Sequence, residues 1–135
     1  MLVLVSLSLD HVKAVIYVSG LSSPKTRKAL IQALPARAKA RRVMDGLLII
    51  ELNLRVAPEG HRCTLCRGEV AYWPPASSLI VALWRGCREL ASPLNYLGFV
   101  VDGVEALESL SGTFDAELWP SDWEDVKGSF IDSQH

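Results

Sequence analysis

His61-x-Cys63-x-x-Cys66 places an imidazole and two thiols within six residues, a spacing that a tetrahedral zinc ion can use, and Cys87 offers a fourth ligand. A single C-x-x-C carries little weight alone, and the same residues admit a simpler reading. If Thr64 and Leu65 lie in a strand, Cys63 and Cys66 point to opposite faces. The thiols then stay inert or form a disulfide. Three cysteines cannot all pair, which fits a reducing compartment. The expectation is therefore no bound metal and no cofactor.

Other chemistries find less support. His11 and His135 fall in a turn and a tail, so no Ser-His-Asp constellation can be assembled. Asp122, Glu124 and Asp125 read as a solvated acidic run, and no glycine loop suited to phosphate appears. In Ala36-Arg37-Ala38-Lys39-Ala40-Arg41 every second residue is basic, which on a strand puts the bases on one face and the alanines on the other. A charged edge or solvent face explains this pattern. A nucleic-acid surface does so less well, because no aromatic residue interleaves to stack on bases.

Composition bounds the rest. The 135 residues are half hydrophobic, with a net charge of -1, which suits one domain with one core and argues against a general polyanion binder. Seven of the 14 basic residues lie between positions 25 and 42, and nine of the 15 acidic ones from 102 onward. Such halves can complement each other within the fold or across a homodimer. The apolar N-terminus has no basic residue before its run and no small-x-small cleavage site. No stretch reaches the roughly 18–20 apolar residues of a membrane span. These features predict a soluble cytoplasmic protein.

Strands are expected at Leu2–Ser8, Val12–Val18, Leu47–Leu52, Leu79–Trp84, Asn95–Val101 and Phe114–Leu118, with another short one near Cys63. Ser23 followed by Pro24 marks a helix start, with the serine hydroxyl as N-cap. That helix runs to about Leu34, burying Leu30, Ile31, Ala33 and Leu34, and Pro35 stops it. A second helix over Gly103–Leu110 turns Val104, Leu107 and Leu110 inward. The tail after Pro120 is acidic and loosely held, with Trp119 and Trp123 as anchors. This is a mainly β protein, a barrel or sandwich.

Two segments narrow the choice. Gly68-Glu69-Val70-Ala71-Tyr72-Trp73-Pro74-Pro75 is the first, and Ala91-Ser92-Pro93-Leu94-Asn95-Tyr96-Leu97-Gly98, continuing to Leu107, is the second. Together they resemble a small family of prokaryotic single-domain proteins of unknown function with a cyclophilin-like fold. That family carries G-[DE]-x-x-Y-W-P-P-G and, later, A-S-x-V-N-x-I-G-x-x-x-x-G-x-x-x-L. The second segment is also similar to the cyclophilins' V-F-G-x-V-x-x-G-[ML] region, where a strand turns into the second capping helix. The resemblance implies a closed cyclophilin-like β-barrel of about eight mostly antiparallel strands with two short capping helices, spanning 1–135 as a single domain. The chain departs from the pattern at Ala76, where the family has glycine. At Arg85-Gly86-Cys87-Arg88 a shortened connection replaces the family's G-x-T-P hairpin. Tryptophan before Pro74 makes a cis bond worth checking there, although trans is the default. Gly98 inside a strand marks a bulge or a close backbone approach.

Prolyl isomerase activity follows from fold analogy alone. Leu47–Asn53 has neither the arginine nor the phenylalanine that a cyclophilin site needs. Glu89 and Leu94 stand where the pocket tryptophan and histidine would be, and nothing in its spacing recommends Arg55 as a substitute. The preferred expectation is a non-catalytic barrel in which Tyr72, Trp73, Pro75, Asn95 and Tyr96 line a groove for a small molecule or peptide. Simple packing of Tyr72 and Trp73 is the competing account.

Overall fold

The computed structural model describes residues 3–19 and 21–121. Strand β1 (Leu4–Leu9) turns at Asp10–His11 into β2 (Val12–Val18). Helix α1 (Pro24–Ala33) follows, and then β3 (Ala36–Val43) and β4 (Leu47–Ile50). A segment without regular structure spans 51–63. Beyond it come β5 (Thr64–Cys66), β6 (Glu69–Trp73), a 3-10 turn (Pro74–Ala76), β7 (Ser78–Ala82) and β8 (Cys87–Glu89). The described chain finishes with β9 (Asn95–Asp102), α2 (Val104–Glu108) and β10 (Thr113–Ser121). Among the described residues, no helix is long and apolar enough to cross a membrane. The expected acidic tail lies outside them from residue 122 on, and so does its anchor Trp123.

Eight strands close a barrel in the order β1-β10-β3-β4-β7-β6-β9-β2, each pair antiparallel. Strand alternation fills the inside with Val5, Leu7, Ile16, Leu48, Ile50, Tyr72, Val81, Leu97 and Leu118. The remaining two strands, β5 and β8, form a separate two-stranded sheet outside the barrel. This flap covers a second core between itself and the outer face of β4, β7 and β6, built from Leu47, Ile49, Leu65, Ala71, Ile80, Trp84, Leu90 and Leu94. The second core explains why β4 and β7 lack polar alternation: both of their faces are buried. Each large aliphatic side chain so covered contributes about 1.5–3 kcal/mol.

Both helices are capped by residues from distant elements. The expected cap of α1, Ser23, is buried and makes no capping hydrogen bond. The Glu59 carboxylate instead accepts the backbone N–H groups of Lys25 and Thr26 at 3.0 and 2.9 Å. At α2, Arg42 on β3 donates to the carbonyls of Glu108 and Leu110 at 2.7 and 2.8 Å, satisfying acceptors that the helix end leaves open. Leu107 and Leu110 are buried as expected. Ile31 is not: it is 38% exposed, because α1 meets the barrel through Thr26 and Leu30, and Ile31 is turned away from that line.

Other expectations are settled by neighbours. The alternating strand β3 is no edge, since it lies between β10 and β4. Its bases face solvent opposite acids of β10, with Arg37 paired to Glu117 and Lys39 to Asp115. The charge asymmetry of the sequence is thus partly complemented within the chain. The connection at Arg85–Arg88 is not merely shortened, because Cys87–Glu89 is strand β8. Trp73–Pro74 keeps the default trans form, and a cis bond occurs at Leu34–Pro35. Gly98 fills the expected role. A Cβ there would lie 1.8 Å from the Tyr17 carbonyl oxygen, and the β6–β9 register shifts beside it, between Val70 and Ala71.

Candidate functional site

The five groove candidates fall on three different surfaces. Tyr72 and Asn95 are cross-strand partners on β6 and β9, each only 1% exposed. Their side chains belong to the barrel interior and its α1 end. The Tyr72 hydroxyl accepts the Leu54 N–H at 3.2 Å. The Asn95 amide donates to the Thr26 hydroxyl and the Ala57 carbonyl at 2.9 and 3.0 Å, and its oxygen accepts the Glu59 N–H at 2.8 Å. Every polar group of Asn95 is spent on fastening the 51–63 segment to α1 and the barrel.

Trp73 and Tyr96, one residue further along their strands, face outward by the same alternation. They pack half-buried against the second core. Tyr96 is the partner of Ala71, so Trp73 is its diagonal neighbour on the adjacent strand, within reach of a large side chain. Pro75 projects into solvent from the 3-10 turn that follows Trp73. Strand alternation therefore keeps Trp73 and Tyr96 on the outer face and sends Tyr72 and Asn95 inside, while Pro75 stands apart on the turn beyond Trp73.

The flap adds residues that the sequence reading passed over. Arg62, just before β5, sets its guanidinium 4.2 Å above the Tyr96 ring. The same guanidinium donates to the Thr64 carbonyl at 2.9 Å and to the Glu69 carboxylate at 2.6 Å. Glu69 also accepts the Cys66 N–H at 2.7 Å. Past β8, the Ser92 hydroxyl accepts the Trp73 indole N–H at 2.9 Å. Burial pushes the Tyr96 phenol above its ordinary pKa and the Glu69 carboxylate adds to the rise, against the opposing charge of Arg62. The site is a shallow shelf in which a cation, a phenol and an indole are held in fixed order. Trp73 and Tyr96 are half-buried, the Arg62 guanidinium is partly exposed, and the Glu69 carboxylate stands close enough to the Tyr96 phenol to raise its pKa.

Solved structures that share this fold include two of particular use. One is the solution structure of a hypothetical protein from Archaeoglobus fulgidus, with a TM-score of 0.67 and 19% identity over 87% of this chain and 93% of that one. The other is McbB, determined in complex with tryptophan, with a TM-score of 0.69 and 12% identity over 85% of this chain and 44% of that one. At these identities the likeness concerns the fold. No protein-family model matches the chain, and no curated protein does either.

The remaining candidates do not converge on the shelf as reagents. Cys66 and Cys87 are joined by a disulfide across β5 and β8, which removes two of the four thiol and imidazole ligands considered for zinc. Cys63 carries a free thiol and His61 is exposed. Among the described residues, no three of His, Cys, Asp or Glu gather closely enough to hold a metal ion. Arg55 is exposed in the 51–63 segment. Surface depressions of about 440 and 470 Å3 lie along β3 and β10, lined by Ala36, Arg37, Lys39, Glu117 and Trp119 among others, and neither includes a groove candidate.

Of the residues missed, Glu69 stood at the acidic position of the first resemblance motif, and that was its only signal. Arg62 and Ser92 gave none. They reach Tyr96 and Trp73 only because β5 and β8 pair.

Proposed function

We propose that this chain is a non-catalytic binding barrel that takes a small planar molecule or a peptide on the outer shelf of Trp73, Pro75, Tyr96 and Arg62. The observation that carries the reading is the Arg62 guanidinium stacked 4.2 Å above Tyr96, with Trp73 diagonal to it across the β6–β9 register. Aromatic and guanidinium planes fixed beforehand lose little entropy when a flat or proline-containing ligand stacks on them. McbB, a fold neighbour solved with tryptophan, supports an aromatic amino acid as the first small molecule to try. A cyclophilin-like kinship belongs to the same proposal. It is supported by the eight-stranded closed barrel, by α1 after the second strand and by α2 before the last. Cytoplasmic residence belongs to it too, and the Cys66–Cys87 disulfide is the feature that residence has to accommodate.

The test is a titration of the protein with L-tryptophan and, separately, with a short proline-rich peptide, followed by amide and indole NMR shifts. Saturable shifts confined to Trp73, Tyr96 and the Arg62 side chain, absent in Trp73→Ala, are the expected result. Shifts elsewhere, or none with either probe up to millimolar concentration, would remove the shelf from consideration.

A further inference from the structure

We propose that the Cys66–Cys87 disulfide is a redox latch that governs the binding shelf. The proposal rests on the shelf being the ligand site, and it concerns how that site is regulated. Thr64–Cys66 and Cys87–Glu89 pair as an antiparallel ladder, and backbone hydrogen bonds continue past both of its ends. At one end the disulfide joins Cys66 to Cys87. Next to it the Arg67 N–H reaches the Gly86 carbonyl at 2.8 Å. Toward the other end the Leu90 N–H reaches the Cys63 carbonyl, and the Leu94 N–H the Arg62 carbonyl, both at 2.8 Å. The two residues that the flap adds to the shelf sit at this far end, one on each strand's extension: Arg62 over Tyr96, and Ser92 on the Trp73 indole. Glu69 binds both ends of the arrangement, through the Arg62 guanidinium and the Cys66 N–H.

A sheet of two strands with three residues each is marginal by itself. What holds this one down is Leu65, Leu90 and Leu94 in the second core, the Trp84 indole bonded to the Leu65 carbonyl at 3.0 Å, and the covalent cross-link. The cross-link is also the part that solvent can reach. Cys87 and both of its neighbours, Gly86 and Arg88, are exposed, and Cys66 is half-buried. A thiolate of a dithiol reductant attacks the Cys87 sulfur, and Cys66 leaves as a thiolate and takes a proton. The reductant's second thiol then closes on the mixed disulfide. Cys87 is released as a thiol and the reductant departs as its own disulfide, so two electrons and two protons have passed to the protein. The flap then depends on Leu65, Leu90 and Leu94 in the second core and on its polar contacts, and the order of Arg62, Tyr96, Trp73 and Ser92 loosens with it. The oxidised protein is the binding form.

Hydrogen exchange and ligand titration on the full chain, before and after treatment with a dithiol, test the latch. On reduction, amides of Leu65, Arg88 and Leu90 should exchange at least about tenfold faster, while barrel amides of Leu48, Val81 and Leu118 keep their rates. The Cys66→Ser/Cys87→Ser double variant should exchange as the reduced protein does, with or without dithiol. L-Tryptophan binding should weaken at least about tenfold on reduction. Flap exchange that does not change on reduction overturns the latch. So does faster exchange with unaltered tryptophan affinity. If neither tryptophan nor the proline-rich peptide binds the oxidised protein, the shelf reading has failed, and the exchange data still report whether the disulfide controls the flap.

Discussion

Glu59 and Thr26, 33 residues apart, share a hydrogen bond of 2.5 Å between carboxylate and hydroxyl. The same carboxylate accepts the N–H groups of Thr26 and Lys25, and the Thr26 hydroxyl in turn accepts from Asn95. One acidic side chain in an irregular segment thus starts α1 and ties the segment to β9. Replacing Glu59 with alanine leaves the first-turn donors to water and frees the segment. A loss of about 1–2 kcal/mol is expected, comparable to removing a good N-cap. Urea unfolding of Glu59→Ala against the parent protein measures it, and a loss below a few tenths would show that water serves the helix equally well.

The same carboxylate makes stability depend on acid. Burial alone would raise its pKa, but the Thr26 hydroxyl, the two backbone donors and the Lys25 charge together hold it below the ordinary glutamate value. A group depressed in the folded state contributes stability above its unfolded pKa, near 4.3, and loses that contribution as pH falls through the lower folded value. The difference in stability between the parent and Glu59→Gln should therefore be constant above about pH 5.5 and shrink toward acid. A difference that widened on acidification would contradict the capping role.

Gly98 leaves no room for a side chain. With the Tyr17 carbonyl oxygen 1.8 Å from the position of a Cβ, Gly98→Ala must displace the backbone of β2, not a mobile side-chain tip. A destabilisation of about 3 kcal/mol or more is expected, at the severe end for overpacking. Thermal denaturation reads it out, and a variant melting within a degree or two of the parent would rule this packing out.

At the shelf, the two charges beside Tyr96 act in opposite directions. Glu69→Gln should lower the phenol pKa toward its ordinary value. Arg62→Gln should raise it further, because the favourable charge over the phenolate is gone while burial remains. Phenolate absorbance in a protein with Tyr17 and Tyr72 replaced by phenylalanine reports Tyr96 directly. Equal values in the two variants would mean that neither charge sits against the ring.

Along β3 and β10, Lys39 donates to the Asp115 carboxylate at 2.5 Å. This hydrogen bond first, and then the Lys39 charge, hold the Asp115 pKa below its ordinary value. Lys39→Ala should let it rise toward the usual aspartate range, with the parent's depression fading in high salt as expected for a solvated pair. Carboxyl carbon shifts followed through an acid titration at two ionic strengths test this. A depression that survives molar salt would point to a partner other than Lys39.

Period-two patterns that one face of the barrel decides were legible in the residues. The alternation of Arg37, Lys39 and Arg41 with alanines left a charged edge or a solvent face open, of which β3 shows the solvent face, and the β-branched run Val12–Val18 became β2 with the expected bounds. Pro24 and Pro35 bracketed α1 because proline acts on the backbone wherever the chain goes. Gly98 announced a close approach for the same local reason. By itself, then, the sequence determined a mainly β chain, most of its strands and the place of both helices. Tertiary structure decided what depended on remote partners. Glu59 replaced Ser23 at the α1 cap because the 51–63 segment is laid across the barrel end, a placement no local residue encodes. Ile31 was left exposed because only one line of α1 meets the barrel. Side-chain alternation divided Tyr72 and Asn95 from Trp73 and Tyr96 once β6 and β9 paired in register. Arg62 and Ser92 came to the shelf only through the pairing of β5 with β8, two three-residue strands too short to leave a period in the sequence.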